Sequence, residues 1–222
     1  MNFVQLVENL RVECGASGSP LVTVQSVNGE MLRLKNWIAD AWNEIQVSRQ
    51  EWKFLRAKFT FNTQANKQQY SLAEMGVANL DMWKQNSFWI YNPTFGLSDQ
   101  MIFDPLPWDD FREAYIRGQQ TAMRPQRFAL DADDSIWLGP LPDDVYTVSG
   151  EYWTDPVQLV ADTDTPAMPV QFHKLVVYEA MKKFAGYDAA TEVYQRAVNE
   201  GSHLRTMLEV SQLPAITIDG GF

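Results

Sequence analysis

Leu55-Arg56-Ala57-Lys58-Phe59-Thr60-Phe61-Asn62 alternates apolar and polar side chains residue by residue. Successive side chains of a strand point to opposite faces, so this repeat predicts a half-buried β-strand. Just upstream the period is different. Leu34, Ile38, Ala41 and Ile45 recur at helical spacing, and Trp37 and Trp42 widen the stripe. This predicts an amphipathic helix from near Asn28 to about Gln50, with Arg33, Lys35, Asp40 and Glu44 on its outer face. The hydrophobic period thus switches from helix to strand near residue 55.

Upstream, Phe3, Leu6, Val7, Leu10 and Cys14 share one face, predicting a helix over residues 2–14. Gly15 is placed to end it in the left-handed conformation, and residues 15–28 read as a loop. Downstream, Gln64-Ala65-Asn66-Lys67 is expected to turn the first strand into a partner around Gln69–Leu72. Residues 87–91 form another strand candidate, stopped by Asn92-Pro93, and Met101–Phe103 a short one. Pro107 opens a brief helix over residues 108–117, with Asp109 and Asp110 at its positive end. Phe128–Leu130, Ile136–Leu138 and Val145–Trp153 then read as an antiparallel meander joined by acidic and proline-rich turns.

The breaker-rich stretch Asp162–Pro169 ends the β region. The helical period then returns over residues 170–185, where apolar residues cover more than one stripe, and Gly186 is expected to end that helix. Asp188 is the expected N-cap of a last helix over 189–210, with Val193, Ala197, Leu204 and Leu208 as its stripe. The expected fold is α+β: a helical bundle domain from residues 1–54 and 164–212, with an antiparallel β domain inserted over 55–163. Residues 213–222 are expected to leave the bundle as an extended tail. Pro214 stops the helix, Ile216 and Ile218 alternate with polar neighbours, and Gly220-Gly221 tether Phe222. Leu213, Pro214, Ile216, Ile218 and Phe222 are the candidate docking residues of this tail, disordered in the free subunit and ordered on a partner.

The 222 residues suit one large domain or two small ones. A single cysteine leaves no disulfide within the chain and fits a reducing compartment. No stretch approaches the roughly 20 apolar residues of a membrane span, and Met1-Asn2-Phe3-Val4-Gln5 does not read as a secretion signal. The net charge of −10 speaks against a DNA-binding module, since phosphate affinity rests on Lys and Arg. It is compatible with a surface that DNA passes without sticking. The aromatic share of 13% is high, and partly buried large rings are common at protein interfaces.

Chemistry-bearing constellations are missing from the sequence. His173 and His203 lack a His or Cys at ligand spacing, so no metal site is expected. Asp131-Ala132-Asp133-Asp134 lacks the central glycine and closing glutamate of a calcium loop and reads as a hairpin turn. There is no Walker, dinucleotide or nucleophile-elbow motif, so no cofactor and no catalytic residue is expected. The one local excess of positive charge is Arg49, Lys53, Arg56 and Lys58, with Trp52 and Phe54 between. Nucleic-acid contact is one reading of such a cluster; against the acidity of the rest, a solvated face or an inter-subunit face for an acidic neighbour is the favoured one.

Several stretches carry a resemblance. Phe3-Val4-Gln5-Leu6-Val7 is followed by a Gly/Ser-rich loop and by Leu34-Lys35-Asn36-Trp37-Ile38-Ala39-Asp40-Ala41-Trp42. Later come Gly150-Glu151-Tyr152-Trp153, Asp164-Thr165-Pro166-Ala167-Met168-Pro169 and Phe172-His173-Lys174-Leu175-Val176-Val177-Tyr178-Glu179-Ala180. In this order they resemble the head-to-tail adaptor proteins of tailed bacteriophages, in particular the short-tailed kind. The resemblance implies a structural virion protein of the tail or neck, assembled in the host cytoplasm, with no enzymatic role. It implies a homo-oligomeric ring, commonly of about twelve subunits. That ring binds the portal protein and the tail nozzle protein, and double-stranded DNA crosses its channel without specific binding or any membrane. Two alternatives are a tail-associated glycan hydrolase, whose carboxylates can lie far apart in sequence, and a tail nozzle or completion protein.

Overall fold

The computed structural model describes residues 1–214. In chain order its helices and strands are α1 (Phe3–Glu13), α2 (Gly29–Val47), β1 (Arg56–Asn62), β2 (Gln69–Tyr70), β3 (Leu80–Tyr91), β4 (Met101–Ile102) and β5 (Asp104–Pro105). There follow α3 (Trp108–Phe111), β6 (Arg127–Leu130), β7 (Ile136–Gly139), β8 (Thr147–Thr154), α4 (His173–Asp188) and α5 (Thr191–Gln212). The fold is α+β, as the change of hydrophobic period predicts. Two compact units divide the chain: Met1–Leu55 joined with the segment that begins at Pro156, and Arg56–Asp155.

In the helical unit α4 packs against α1, α2 and α5, and α1 packs against α2. The all-round apolar pattern of α4 is explained by this central place: Leu175, Val176, Val177, Ala180 and Met181 are all buried. Gly201 lets α5 come close, since a Cβ there would lie 3.2 Å from Tyr178 Cβ. Asn2 caps α1 in a reciprocal capping box with Gln5. Its far end closes as expected, with Gly15 at φ +66° and the Ala16 N–H returning to the Arg11 carbonyl at 3.0 Å.

The helix ends near residue 188 differ from the sequence reading. Gly186 lies inside α4, which runs on to Asp188, and Ala189 takes the left-handed conformation at φ +53°. Asp188 is thus the last residue of α4 and not a cap, while α5 starts after Ala190 without a side-chain cap. Residues 156–163, grouped with the strands by sequence, belong with the helices. The buried Gln46 side chain holds both backbone groups of Val157, accepting from its N–H at 2.9 Å and donating to its carbonyl at 3.2 Å. Trp42 Nε1 donates to the same carbonyl at 2.7 Å. The Asp162 carboxylate accepts from the Thr23 hydroxyl at 2.7 Å and the Val24 N–H at 2.8 Å. The Asp164 carbonyl takes the Phe3 N–H at 2.8 Å, satisfying a first-turn donor of α1.

The β unit contains two four-stranded sheets, ordered β1-β8-β3-β4 and β2-β7-β6-β5. Their core includes Phe59, Phe61, Trp83, Phe88, Phe128, Val148 and Tyr152. Phe88 of the first sheet stacks on Phe128 of the second with centroids 4.4 Å apart. Two expected pairings are corrected. β1 does not form a hairpin with the Gln69 region: it pairs with β8, while β2 pairs with β7. Nor is there a three-strand meander, since β6 pairs with β7 but β8 lies in the other sheet. The connections are long enough to carry the chain across, and Thr63 and Tyr146 bind each other at the crossing, Thr63 N–H to the Tyr146 carbonyl at 2.7 Å. One pair, β5 with β6, is parallel; every other pair is antiparallel.

Candidate functional site

The outer face of the first sheet collects side chains that have no role in either core. Its cross-strand register lays them out in rows. Lys58, Glu151 and Lys84 stand opposite one another on β1, β8 and β3. The next row is Thr60, Ser149, Trp89 and Ile102, spanning all the strands of this sheet. Asn62, Thr147 and Tyr91 form a third. Thr60 and Ser149 are short, so the middle row is a trough. Lys58, Glu151, Ser87 and Trp89 wall an open cavity of ≈ 520 Å³ around it.

An irregularity in β3 shapes this trough. Between Lys84 and Trp89 the register shifts, so that Gln85–Phe88 oppose only Gly150. Phe88 drops into the core there. A Cβ on Gly150 would lie 2.6 Å from Phe88 Cδ1 and 2.7 Å from Phe59 Cε1, so only glycine leaves room for both rings. The backbone bond lost at the bulge is replaced by Ser87, whose hydroxyl accepts from the Glu151 N–H at 2.9 Å and donates to the Lys84 carbonyl at 2.6 Å.

The face is basic within an acidic protein. Lys84 Nζ donates to Glu151 Oε2 at 2.8 Å, and Arg56 Nη1 lies 3.7 Å from the same oxygen. The Lys84 hydrogen bond, helped by the fields of Arg56 and Lys58, holds the Glu151 carboxyl below its ordinary range despite partial burial. Glu151 thus stays charged and offsets one of the three cations. Toward β4 the face becomes apolar: Trp89 is 38% exposed and Ile102 55%, and the β3–β4 connection adds Phe95 at 67% and Leu97 at 70%. Exposed apolar side chains gathered beside charges are the usual composition of a protein-binding surface. Arg56, Lys84 and Glu151 are committed to one another, while Lys58 stands exposed beside them.

The sequence-predicted basic residues part into two pairs. Arg49 reaches Glu209 at 3.2 Å and Lys53 Nζ donates to the Ser211 carbonyl at 3.1 Å, so both fasten the last turn of α5. Arg56 and Lys58 stand on the β1 face beside Glu151. Lys84, Trp89, Ser149 and Ile102 were missed, although the alternation along Thr147–Trp153 already sends Ser149 and Glu151 to the side of Lys58. Of the tail residues, Leu213 is half-buried and hydrogen-bonded to the Glu209 carbonyl at 3.0 Å, and Pro214 is exposed. Ile216, Ile218 and Phe222 lie outside the described residues.

Cys14 and His173 are tied down in the helical unit. Burial pushes the Cys14 thiol up to about 12. His173 is buried, its Nε2 donating to the Met168 carbonyl at 2.9 Å and its Nδ1 accepting from the Met1 amino group at 2.7 Å. Among the described residues no three His, Cys, Asp or Glu gather to hold a metal ion, and no helix is long and apolar enough to cross a membrane.

Comparison with known proteins places the chain in a family. A search of curated proteins finds no match. The model of the family described as SU10 adaptor protein matches residues 1–214, which takes in both units. The chain therefore belongs to the SU10 adaptor protein family and is a phage head-to-tail adaptor.

Proposed function

We propose that this adaptor is a ring-forming structural subunit that joins the portal vertex of the capsid to the tail nozzle and continues the DNA channel. The observation that carries the reading is the family match over residues 1–214. The exposed charged and apolar face of the first sheet supports it, because a subunit that only meets solvent has no use for such a surface. Ring closure follows from heterologous contacts repeated by rotation, here about twelve times. The net charge of −10 suits a wall past which a polyanion slides. The virion is of the short-tailed kind, the ring assembles in the host cytoplasm, and the subunit has no catalytic task. Domain roles follow the two units: residues 1–55 and 156–212 as the body, 56–155 as the insertion, 213–222 as the docking tail.

Mass measurement of the purified chain, alone and with a portal protein, tests the ring. A closed oligomer on the portal is expected; a chain that stays monomeric with its portal across salt concentrations contradicts it. The tail is tested by deleting residues 213–222. The shortened chain should keep its helix content and lose portal attachment. Full attachment without the tail would assign docking elsewhere.

A further inference from the structure

The trough on the first sheet needs an acidic occupant that is already shaped, and the same unit carries one. The β6–β7 turn, Asp131-Ala132-Asp133-Asp134, is locked from within. Asp131 Oδ1 accepts from the N–H groups of Asp133 at 2.9 Å and Ser135 at 3.0 Å, and Asp131 Oδ2 accepts from Trp137 Nε1 at 2.8 Å. Asp134 sits at φ +58°, a conformation that aspartate tolerates better than most residues, and its carbonyl accepts from Trp83 Nε1 at 3.2 Å. The carboxylates of Asp133 and Asp134 are exposed and meet no Lys or Arg among the described residues. In other acidic stretches some of the carboxylates are already engaged. Asp109 and Glu113 already face Arg112 and Arg117, Asp143 accepts from the Tyr146 hydroxyl, and Asp99 holds Arg124.

We infer that in the assembled ring the Asp131–Asp134 turn of one subunit docks on the Arg56, Lys58 and Lys84 side of the trough of the next, with Trp89 and Ile102 covered by the same neighbour. This rests on the ring reading and names its contact. The occupant is a second copy of this chain. Charge complementarity selects it: a face with three cations and one anion meets a turn with two unneutralised carboxylates. Both partners are fixed before they meet, the turn by Asp131 and the trough by Glu151 and Ser87, so little ordering is lost on contact. The turn belongs to the second sheet and the trough to the outer face of the first. Being different surfaces, they can meet head to tail without reciprocation, each subunit giving one and receiving one, and such a heterologous contact makes a ring where its rotation closes.

The experiment compares four full-length chains: wild type, Lys58→Glu, Asp133→Lys and the double variant. Both positions are exposed, so circular dichroism should match wild type in all four; Tm should fall slightly in the Lys58→Glu chains, where the new carboxylate stands opposite Glu151, without unfolding them at the assay temperature. Ring formation is read by native mass spectrometry over a concentration series, with and without portal. Each single reversal should raise the concentration needed for rings by about tenfold or more, and the double variant should recover most of that loss. Singles that assemble like wild type, or a double variant no better than the sum of its singles, would overturn the contact while leaving the ring intact. Rings unchanged but retention of a DNA duplex lost in Lys58→Glu would assign the face to nucleic acid and overturn it too. A wild-type chain that never leaves the monomer overturns the ring reading itself.

Discussion

At the scale of single residues, the β unit depends on an atom that is absent. Gly150 faces a core where Phe88 and Phe59 leave no room for a methyl group. Gly150→Ala should destabilise the unit by about 1–3 kcal/mol, the usual cost of overpacking a filled core. Urea unfolding followed by intrinsic fluorescence would measure it, and an unchanged midpoint would mean that the two rings can move aside. Lys58 is the opposite case. It is exposed, and its replacement by Glu should lower the folding midpoint only slightly while altering assembly. The pair of substitutions thus separates packing from recognition on strands that stand side by side.

At the scale of elements, the join between α4 and α5 is a place where sequence and conformation disagree. Ala189 holds a left-handed backbone that glycine adopts without strain, while a glycine three residues earlier is spent inside a helix. Ala189→Gly should raise stability, by up to about 1 kcal/mol, because relief of strain outweighs the added freedom of the unfolded chain. A lower Tm in calorimetry would refute this. The helices and most strands were legible because each carries its own period. Strand partners were not: whether β1 meets β2 or β8 is decided by where the connections cross, which no local pattern records. Half of the binding face was hidden for a related reason. Lys84-Gln85-Asn86-Ser87 is a polar run that reads as a loop, and only the bulge shows that Lys84 and Trp89 belong to one strand face. Arg56 and Lys58 were visible because β1 alternates without interruption.

At the scale of the whole molecule, the groups that titrate below neutral pH pull stability in one direction as the pH falls. Burial lowers the His173 pKa below its ordinary 6.5, so the unfolded chain takes up that proton first and stability falls as pH drops below about 6.5. Backbone hydrogen bonds lower Asp162 and Asp164 below their ordinary 3.8, and Lys84 lowers Glu151 below 4.5. Their contribution is present above those values and is lost as pH falls through the folded ones. Tm should therefore decline in two stages, a shallow one below pH 6.5 and a steeper one below about pH 4.5. His173→Gln, which keeps a donor for the Met168 carbonyl, should remove the first stage only. A Tm that rises between pH 7 and pH 5 would contradict the assignment.

The position of α4 has a further bearing, on the order in which the protein is made. α1 and α2 leave the ribosome ahead of the inserted unit, yet the helix that packs against both begins at His173. Before it arrives, the whole of Arg56–Asp155 has emerged with every strand of its two sheets. Synthesis is vectorial and domains tend to fold as units. The inserted unit is then finished before the helical one, and α1 and α2, which have only each other to pack against, wait for α4 to cover the rest of their apolar stripes. The late arrival of α4 acts as a timer: the body of the subunit is completed only after the whole inserted unit has been made.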